Sequence, residues 1–134
     1  MPQNYTLTAQ TSVTASSGTG FSQSASGNFT LNLTGIDQVQ TGRLDIAVTN
    51  TVVMAAPTFG KAVYIRNLDD TNFIEVHSVA TVDTDVIGIL EPGEWMFFVL
   101  RDTEGGGTAQ AVGASADTAA CTIEYFAVEI DSAA

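Results

Sequence analysis

The sequence predicts an all-β fold, a jelly-roll-like antiparallel β-sandwich of about eight to ten short strands with no substantial helix. Three observations support this fold class. Apolar and polar residues alternate with period two in nearly every segment, turn-forming residues recur about every 8–12 positions, and no stretch of about ten residues has uninterrupted helical spacing of apolar residues. Because 134 residues suit one hydrophobic core, residues 1–134 are predicted to form a single sandwich domain.

The N-terminal segment has the pattern of a strand followed by a loop. Tyr5, Leu7 and Val13 belong to one alternating set, opposite a set of Thr, Ser and Gln. Residues 16–27 read SSGTGFSQSASG, a composition typical of a flexible loop. Residues 1–27 are therefore predicted to be an N-terminal strand or arm with a flexible Ser/Gly-rich link. The strand is either an edge strand of its own sandwich or an arm that adds to a sheet edge of a neighbouring molecule.

Two hairpins are predicted in the middle of the chain. Residues 62–66 and 73–77 flank the polar sequence NLDDTN, which suits a tight hairpin loop. The sequence EPGE at residues 91–94 is a second turn signal, because Pro presets φ at the second position and Gly accepts a positive φ at the third. It joins residues 86–90 to residues 95–100. Further alternating runs predict strands at residues 29–33, 44–48 and 109–113.

Two strands are apolar on both faces. In WMFFVL, residues 95–100, both alternating sets are apolar. In CTIEYFAVEI, residues 121–130, the apolar set changes phase between Tyr125 and Phe126, which indicates a β-bulge or a second covered face. Because a strand that is apolar on both faces must be covered on both, we expect an arm of the same chain or a neighbouring subunit to lie over these strands.

This surplus of apolar surface predicts self-association as a homodimer or homotrimer. The expected contacts come from the N-terminal strand and from the two strands that are apolar on both faces. The candidate interface residues are Tyr5, Leu7, Val13, Trp95, Phe97, Phe98, Phe126 and Val128.

Residues that usually perform catalysis or bind metals are scarce. His77 is the only histidine, whereas metal-dependent enzymes built on double-sheet folds use two or three histidines and a carboxylate. We expect His77 to face solvent or to contact a neighbouring strand. Cys121, the only cysteine, is expected to be a small buried hydrophobe, because a reactive thiol needs basic neighbours. The prediction is a protein with no enzymatic activity, no metal and no cofactor.

Acidic residues in turns leave two alternatives open. The carboxylates of residues 69–70, 83–85 and 91–94 lie in predicted turns, where a calcium ion can collect oxygen ligands. The DTD sequence at 83–85 nevertheless lacks the Gly and the bidentate Glu of an EF-hand loop. Glycosidase chemistry needs two carboxylates facing an aromatic-lined cleft, and the only tryptophan, Trp95, lies in a core-like run.

The charge of the chain disfavours two classes of partner. Four basic residues face 15 acidic ones, for a formal net charge of −11. Nucleic acids and anionic membranes are bound largely through Lys and Arg, so neither is an expected partner. No stretch approaches the ~20 apolar residues that cross a bilayer, and the N-terminus lacks the features of a secretory signal. We expect the chain to remain in a cytoplasm or to be assembled there into a larger structure.

Residues 61–130 resemble a pattern found in small structural proteins of tailed bacteriophages. In that pattern a strand like VYIRN leads through a polar turn to a strand like NFIEV. A short apolar strand then ends in L-x-P-G-E, here LEPGE at residues 90–94, and a strongly apolar strand follows. The closing strand of the pattern is similar to CTIEYFAVEI.

The resemblance implies a jelly-roll-like virion protein, specifically a capsid decoration (cement) protein on the capsid exterior, assembled in the host cytoplasm. Its implied partners are the major capsid protein and copies of itself, with no nucleic acid and no membrane. Such a protein stabilises a shell by adding contact area between adjacent capsomers. The alternative is a phage fibre or tail-associated β-module that binds a receptor or a carbohydrate.

Overall fold

The structure is a computed structural model that describes residues 5–16, 18, 20, 22–33, 38–54, 60–77, 86–101 and 112–130. These residues form ten strands, all paired antiparallel, and contain no helix, which confirms the predicted all-β class. The chain divides into two compact units, here called the hairpin unit (Met1–Ile36) and the sandwich unit (Asp37–Ala134). The strands are β1 (Tyr5–Ser16), β2 (Ser22–Leu33), β3 (Gln38–Ile46), β4 (Thr51–Met54), β5 (Gly60–Asn67), β6 (Ile74–His77), β7 (Val86–Leu90), β8 (Trp95–Arg101), β9 (Val112–Ala116) and β10 (Cys121–Ile130).

The hairpin unit consists of β1 and β2, paired from Tyr5 opposite Leu33 to Ser16 opposite Ser22. Residues 22–27, which composition assigns to a flexible loop, lie within β2. Each of them stands opposite a residue of β1, so its backbone groups enter the ladder although most of the side chains are small and polar. The strand predicted from Tyr5 to Val13 is present and extends to residue 16.

The sandwich unit has the strand order of a jelly roll. One sheet runs β3-β10-β5-β8 and the other runs β4-β9-β6-β7. The first of these eight strands pairs with the last, the second with the seventh, the third with the sixth and the fourth with the fifth. This is one long antiparallel hairpin rolled up, and the pairs β10·β5 and β9·β6 complete the two sheets. The predicted jelly-roll-like sandwich is thus the observed architecture.

The hydrophobic core lies between the inner faces of the two sheets. Burying each large aliphatic side chain contributes roughly 1.5–3 kcal/mol, so this layer supplies most of the favourable free energy of folding. The fully buried core residues include Ile46, Val63, Ile65 and Ile123 of one sheet and Ile74, Val76 and Val112 of the other.

The pairing of β10 explains why its apolar pattern changes phase between Tyr125 and Phe126. Its pairing with β3 runs without a shift of register from Cys121 to Glu129. Ile123 and Ala127 belong to the core and Tyr125 packs against it, so Glu124 and Phe126, which alternate with them, point outward. The change of apolar phase at Phe126 therefore marks a second apolar face and not a β-bulge.

Four connections lie together at one end of the sandwich. The strand pairing places the strand ends Ile46, Asn67, Trp95 and Cys121 at the same end of their sheet. The backbone links them. Leu68 N–H donates to Thr122 O at 2.9 Å. The corresponding connections at residues 47–50, 68–73, 91–94 and 117–120 are all described.

The buried side chain of Asn67 joins two of these connections. Its Nδ2 group donates to Asn72 O at 2.9 Å and to Leu90 O at 3.1 Å, and its Oδ1 accepts from the Asp69 N–H at 2.9 Å. Its backbone N–H donates to Glu94 O at 2.9 Å. Since Asn67 is fully buried, these bonds replace all contact of the amide with water.

The EPGE turn forms as predicted. Gly93 has a φ of +83°, in the region that favours glycine, and Glu94 N–H donates to Glu91 O at 3.0 Å. The N–H of Gly93 donates to Asn67 O at 3.0 Å. The turn is therefore held both by its own hydrogen bond and by the neighbouring strand.

Replacing Asn67 by Ala should lower the free energy of unfolding by about 2–4 kcal/mol, because buried backbone groups lose their partners. Urea denaturation measures this loss. Asp70→Ala is the matched control in the same loop. The Asp70 side chain is exposed, so its removal should change stability by no more than about 0.5 kcal/mol. Equal losses in the two variants would contradict the role given to Asn67.

Asp69 makes the stability of this loop depend on pH. Its Oδ2 accepts from the N–H groups of Asn72 at 2.6 Å and Thr71 at 2.9 Å, and these bonds lower the pKa of the carboxyl below its ordinary value of 3.8. A lowered folded-state pKa gives stability that is present above the unfolded-state pKa and is lost as the pH falls through the folded-state value.

The stability advantage of the wild-type chain over Asp69→Ala should therefore be full near neutral pH and should shrink as the pH drops below about 4. Thermal unfolding across that range measures it, with Asp70→Ala as the reference variant. An advantage that grows in acid would show that the carboxylate does not stabilise the loop.

Candidate functional site

The outward surface of the sheet β3-β10-β5-β8 is apolar and aromatic. In the register of this sheet Phe126 stands opposite Tyr64, and Tyr64 stands opposite Phe97. The next row toward the loop end places Trp95 opposite Arg66. All of these residues alternate with core residues along their strands, so they share the face that points away from the core. We call Tyr64, Trp95, Phe97 and Phe126 the aromatic face.

Trp95 is the most accessible member of the aromatic face. Its side chain is 50% exposed, whereas Tyr64, Phe97 and Phe126 are half-buried. The rings of Tyr64 and Trp95 lie with their centroids 5.9 Å apart and their planes inclined at 40°. This is the tilted arrangement that aromatic pairs favour. The face thus presents one large ring to solvent, with the ring of Tyr64 packed beside it.

Arginine flanks the aromatic face although basic residues are rare in this chain. Glu124 stands opposite Arg43 on one side and Arg66 on the other. Both arginines are exposed, and they are two of only four basic residues in the sequence. This sheet face therefore carries half of the basic residues of the chain, next to the carboxylates of Glu124 and Asp45.

The far end of the same sheet face is buried at its two inner strands only. Val128 stands opposite Val39 and Ala62, outside the core cluster. Val128 and Ala62 are nevertheless buried, with 0% and 1% of their surface exposed. Val39, on the edge strand β3, is 43% exposed, so the accessible aromatic part of the outward face is the half that contains Trp95.

Of the residues predicted as an interface, the structure brings four together. Trp95, Phe97, Phe126 and Val128 share the outward face, although Val128 is buried there. Phe98 lies on the opposite face of β8, where it packs against the core cluster and is not available to a partner.

The remaining predicted residues belong to the hairpin unit. Leu7 is half-buried and Val13 is 59% exposed. The side chain of Tyr5 lies outside the described residues, although its backbone pairs with Leu33.

Sequence reasoning missed Tyr64 and Arg66 as members of this surface. The signal was available, because Tyr64 and Arg66 alternate with Val63 and Ile65 in the sequence KAVYIRN. Alternation assigns them to the face opposite the core, but only the strand order shows that this face adjoins Trp95 and Phe126.

His77 is fully buried, so the expectation of a solvent-facing position is wrong, whereas the cross-strand contact is observed. Its Nε2 shares a hydrogen bond of 2.8 Å with Ser115 Oγ on the adjacent strand β9. A serine hydroxyl bonded to a histidine is the pairing that activates a nucleophile. His77 is fully buried, however, and Ser115 is only 9% exposed, so little of the pair is accessible from solvent.

Cys121 is buried in the core cluster, as predicted. Burial raises the pKa of its thiol, and the negative charges of Asp69 and Asp117 raise it further. The thiol is therefore held in the protonated form, which is the unreactive one.

Two of the turns proposed as calcium sites each use one carboxylate to accept backbone hydrogen bonds within the turn. Asp69 caps its own loop, and Glu94 Oε2 accepts from the Glu91 N–H at 2.9 Å. Asp83 and Asp85 lie outside the described residues. Within the described ranges no three His, Cys, Asp or Glu side chains gather as a metal site requires.

Comparison with known protein families, with curated proteins and with solved structures finds no match to this chain. The described part of the chain also contains no helix of the length and apolar character needed to cross a membrane.

The single tryptophan allows a direct test of the charge beside the aromatic face. Arg66 stands opposite Trp95 on the adjacent strand, whereas Arg43 is three strands away, about 14 Å at the usual strand spacing. At physiological salt a charge acts over about 8 Å. Arg66→Gln should therefore reduce quenching of Trp95 fluorescence by iodide, and Arg43→Gln should leave it nearly unchanged. Equal effects would contradict this placement.

Proposed function

We propose that this chain is a non-enzymatic structural protein of a virion, a capsid decoration protein that binds the outer surface of the shell. In this proposal its partner is the major capsid protein, and it stabilises the shell by bridging adjacent capsomers. The jelly-roll strand order and the resemblance of residues 61–130 to small phage structural proteins agree with this role.

The aromatic face is the observation that carries the proposal. Interfaces are enriched in Trp, Tyr, Phe and Arg, and binding free energy concentrates in a few such residues. Trp95 offers a large exposed ring, Tyr64 supports it, and Arg66 stands beside it. An exposed tryptophan next to an exposed arginine is the composition expected of a protein-binding surface.

Charge indicates on which side of a capsid the chain would act. A net charge of −11 opposes contact with packaged nucleic acid and favours solubility on an outer surface. The same charge restricts where the chain can meet an acidic partner. Arg43 and Arg66 give the surface beside the aromatic face two cationic groups with which an acidic side chain of a partner can pair.

The stabilising mechanism is mass action. A ligand that binds only the assembled shell adds RT ln(1 + [L]/Kd) to its stability, about 2.7 kcal/mol per site at a hundredfold excess over Kd. A contact of standard size buries about 800 Å² on each partner. Many copies on one shell sum these contributions, so a modest affinity per copy is sufficient.

A second candidate is a fibre or tail-associated module that binds a carbohydrate. The exposed ring of Trp95 favours it, since sugars stack on exposed aromatic rings. The 40° inclination between Tyr64 and Trp95 opposes it, because two coplanar rings would make the flat platform that a sugar chain prefers. A glycan array separates the two candidates.

The test is binding to purified particles of the virus that carries the gene. Trp95→Ala should weaken co-sedimentation with those particles by roughly 30-fold, because loss of a central interface tryptophan costs about 2 kcal/mol or more. Ile89→Ala is the matched control. Ile89 is 52% exposed on the other sheet, so its removal should leave binding intact. Absence of the chain from washed particles, or its location on the tail, would reject the decoration role.

A further inference from the structure

The hairpin unit contains no charged side chain. All 15 acidic and all four basic residues of the sequence lie after residue 36, so the sandwich unit bears the whole net charge of −11. In the strands β1 and β2 there is no Pro, Lys, Arg, Asp or Glu. These are the residues that usually prevent exposed strands from pairing with other chains.

The two faces of this hairpin differ sharply. On one face hydroxyl residues stand opposite each other, such as Ser12 opposite Ser26 and Thr14 opposite Ser24. On the other face the residues are mainly apolar, with Ala9 opposite Phe29 and Val13 opposite Ala25. The hairpin is thus a ribbon with a hydroxyl face and an apolar face, defined here by Leu7, Ala9, Val13, Ala25 and Phe29.

Part of the apolar face is accessible to solvent. Val13 is 59% exposed, and Ala25, which stands opposite it, is also exposed. In the described part of the chain β1 and β2 form a two-stranded sheet. An isolated two-stranded hairpin is marginally stable in water and needs a further layer against its apolar face.

We propose that the apolar face of the hairpin packs against the same face of a second copy of this chain. Two sandwich units, each at −11, repel each other, whereas two hairpins can meet with no charged side chain between them. A charged partner surface would instead bury its ions unpaired against the hairpin, which is costly. An uncharged surface is therefore the favoured partner of this ribbon, and the hairpin unit of a second copy has such a surface.

The dimensions of the ribbon set the strength of this contact. A 12-residue strand spans about 40 Å, and two strands cover a width of about 10 Å. The footprint is then about 400 Å² on each copy, half of the roughly 800 Å² of a standard stable interface. Association should therefore be reversible and concentration-dependent. This contact does not involve the aromatic face and is independent of the proposed role at a capsid.

The test is the oligomeric state of the full chain, measured by sedimentation velocity over a concentration series. Val13→Asp places one negative charge on the apolar face. Thr14→Asp places the same charge at the next position of the strand, which lies on the hydroxyl face. Thr has the shape of Val, and Thr14 is also exposed, so the two variants are matched. The wild-type chain and Thr14→Asp should associate as the concentration rises, and Val13→Asp should remain monomeric.

Two further variants keep the result interpretable if Val13→Asp disrupts the hairpin. Val13→Thr keeps the shape and strand propensity but removes apolar surface, so association should weaken at least threefold. Trp95→Ala should associate like the wild-type chain. A monomeric wild-type chain at every concentration, an equal loss in Thr14→Asp, no change in Val13→Thr, or a loss in Trp95→Ala would each overturn the proposal.

Discussion

The sandwich unit depends on the register of β10, because this strand places apolar side chains both in the core and on the outward face of its sheet. Ile123 and Ala127 fill the core, while Phe126 and Val128 face outward. Alternation has a period of two, so a slip of one residue would exchange the two faces. Such a slip would place Glu124 in the core. Burying that carboxylate without a partner would raise the free energy of the folded state by more than the slipped strand pairing could lower it. One acidic residue therefore helps to fix a strand that is apolar on both sides.

The sequence allowed the strands to be predicted but not their neighbours. Alternation located β1, and the EPGE turn required a glycine with positive φ, which Gly93 provides. Neither pattern shows that β10 lies between β3 and β5, so the position of Tyr64 opposite Phe126 could be learned only from the structure. Composition misplaced residues 22–27, because a hydrogen-bonded ladder can hold Ser and Gly in a strand whose side chains contribute little.

Charge separates the two units as clearly as their contacts do. In the sandwich unit, acidic side chains populate the loops and strands and keep copies apart in solution. The strands of the hairpin unit carry uncharged polar and apolar side chains. A partner can therefore bind them only through hydrogen bonds and the burial of apolar surface. Association through such a surface should not weaken as salt rises, because salt also screens the repulsion between the acidic sandwich units, whereas contacts through Arg43 and Arg66 weaken. The two surfaces can therefore be distinguished by ionic strength alone.

The loop end of the sandwich also determines the geometry of the aromatic face. The Asn67 N–H donates to Glu94 O immediately before Trp95 begins β8, and Arg66, opposite Trp95, immediately precedes Asn67. The buried amide of Asn67 holds Leu90 O at the start of the same turn. The chain on both sides of the exposed ring is thus fixed before any partner arrives. Because ordering of side chains and loops opposes binding, a ring presented on a fixed backbone retains more of its contact energy.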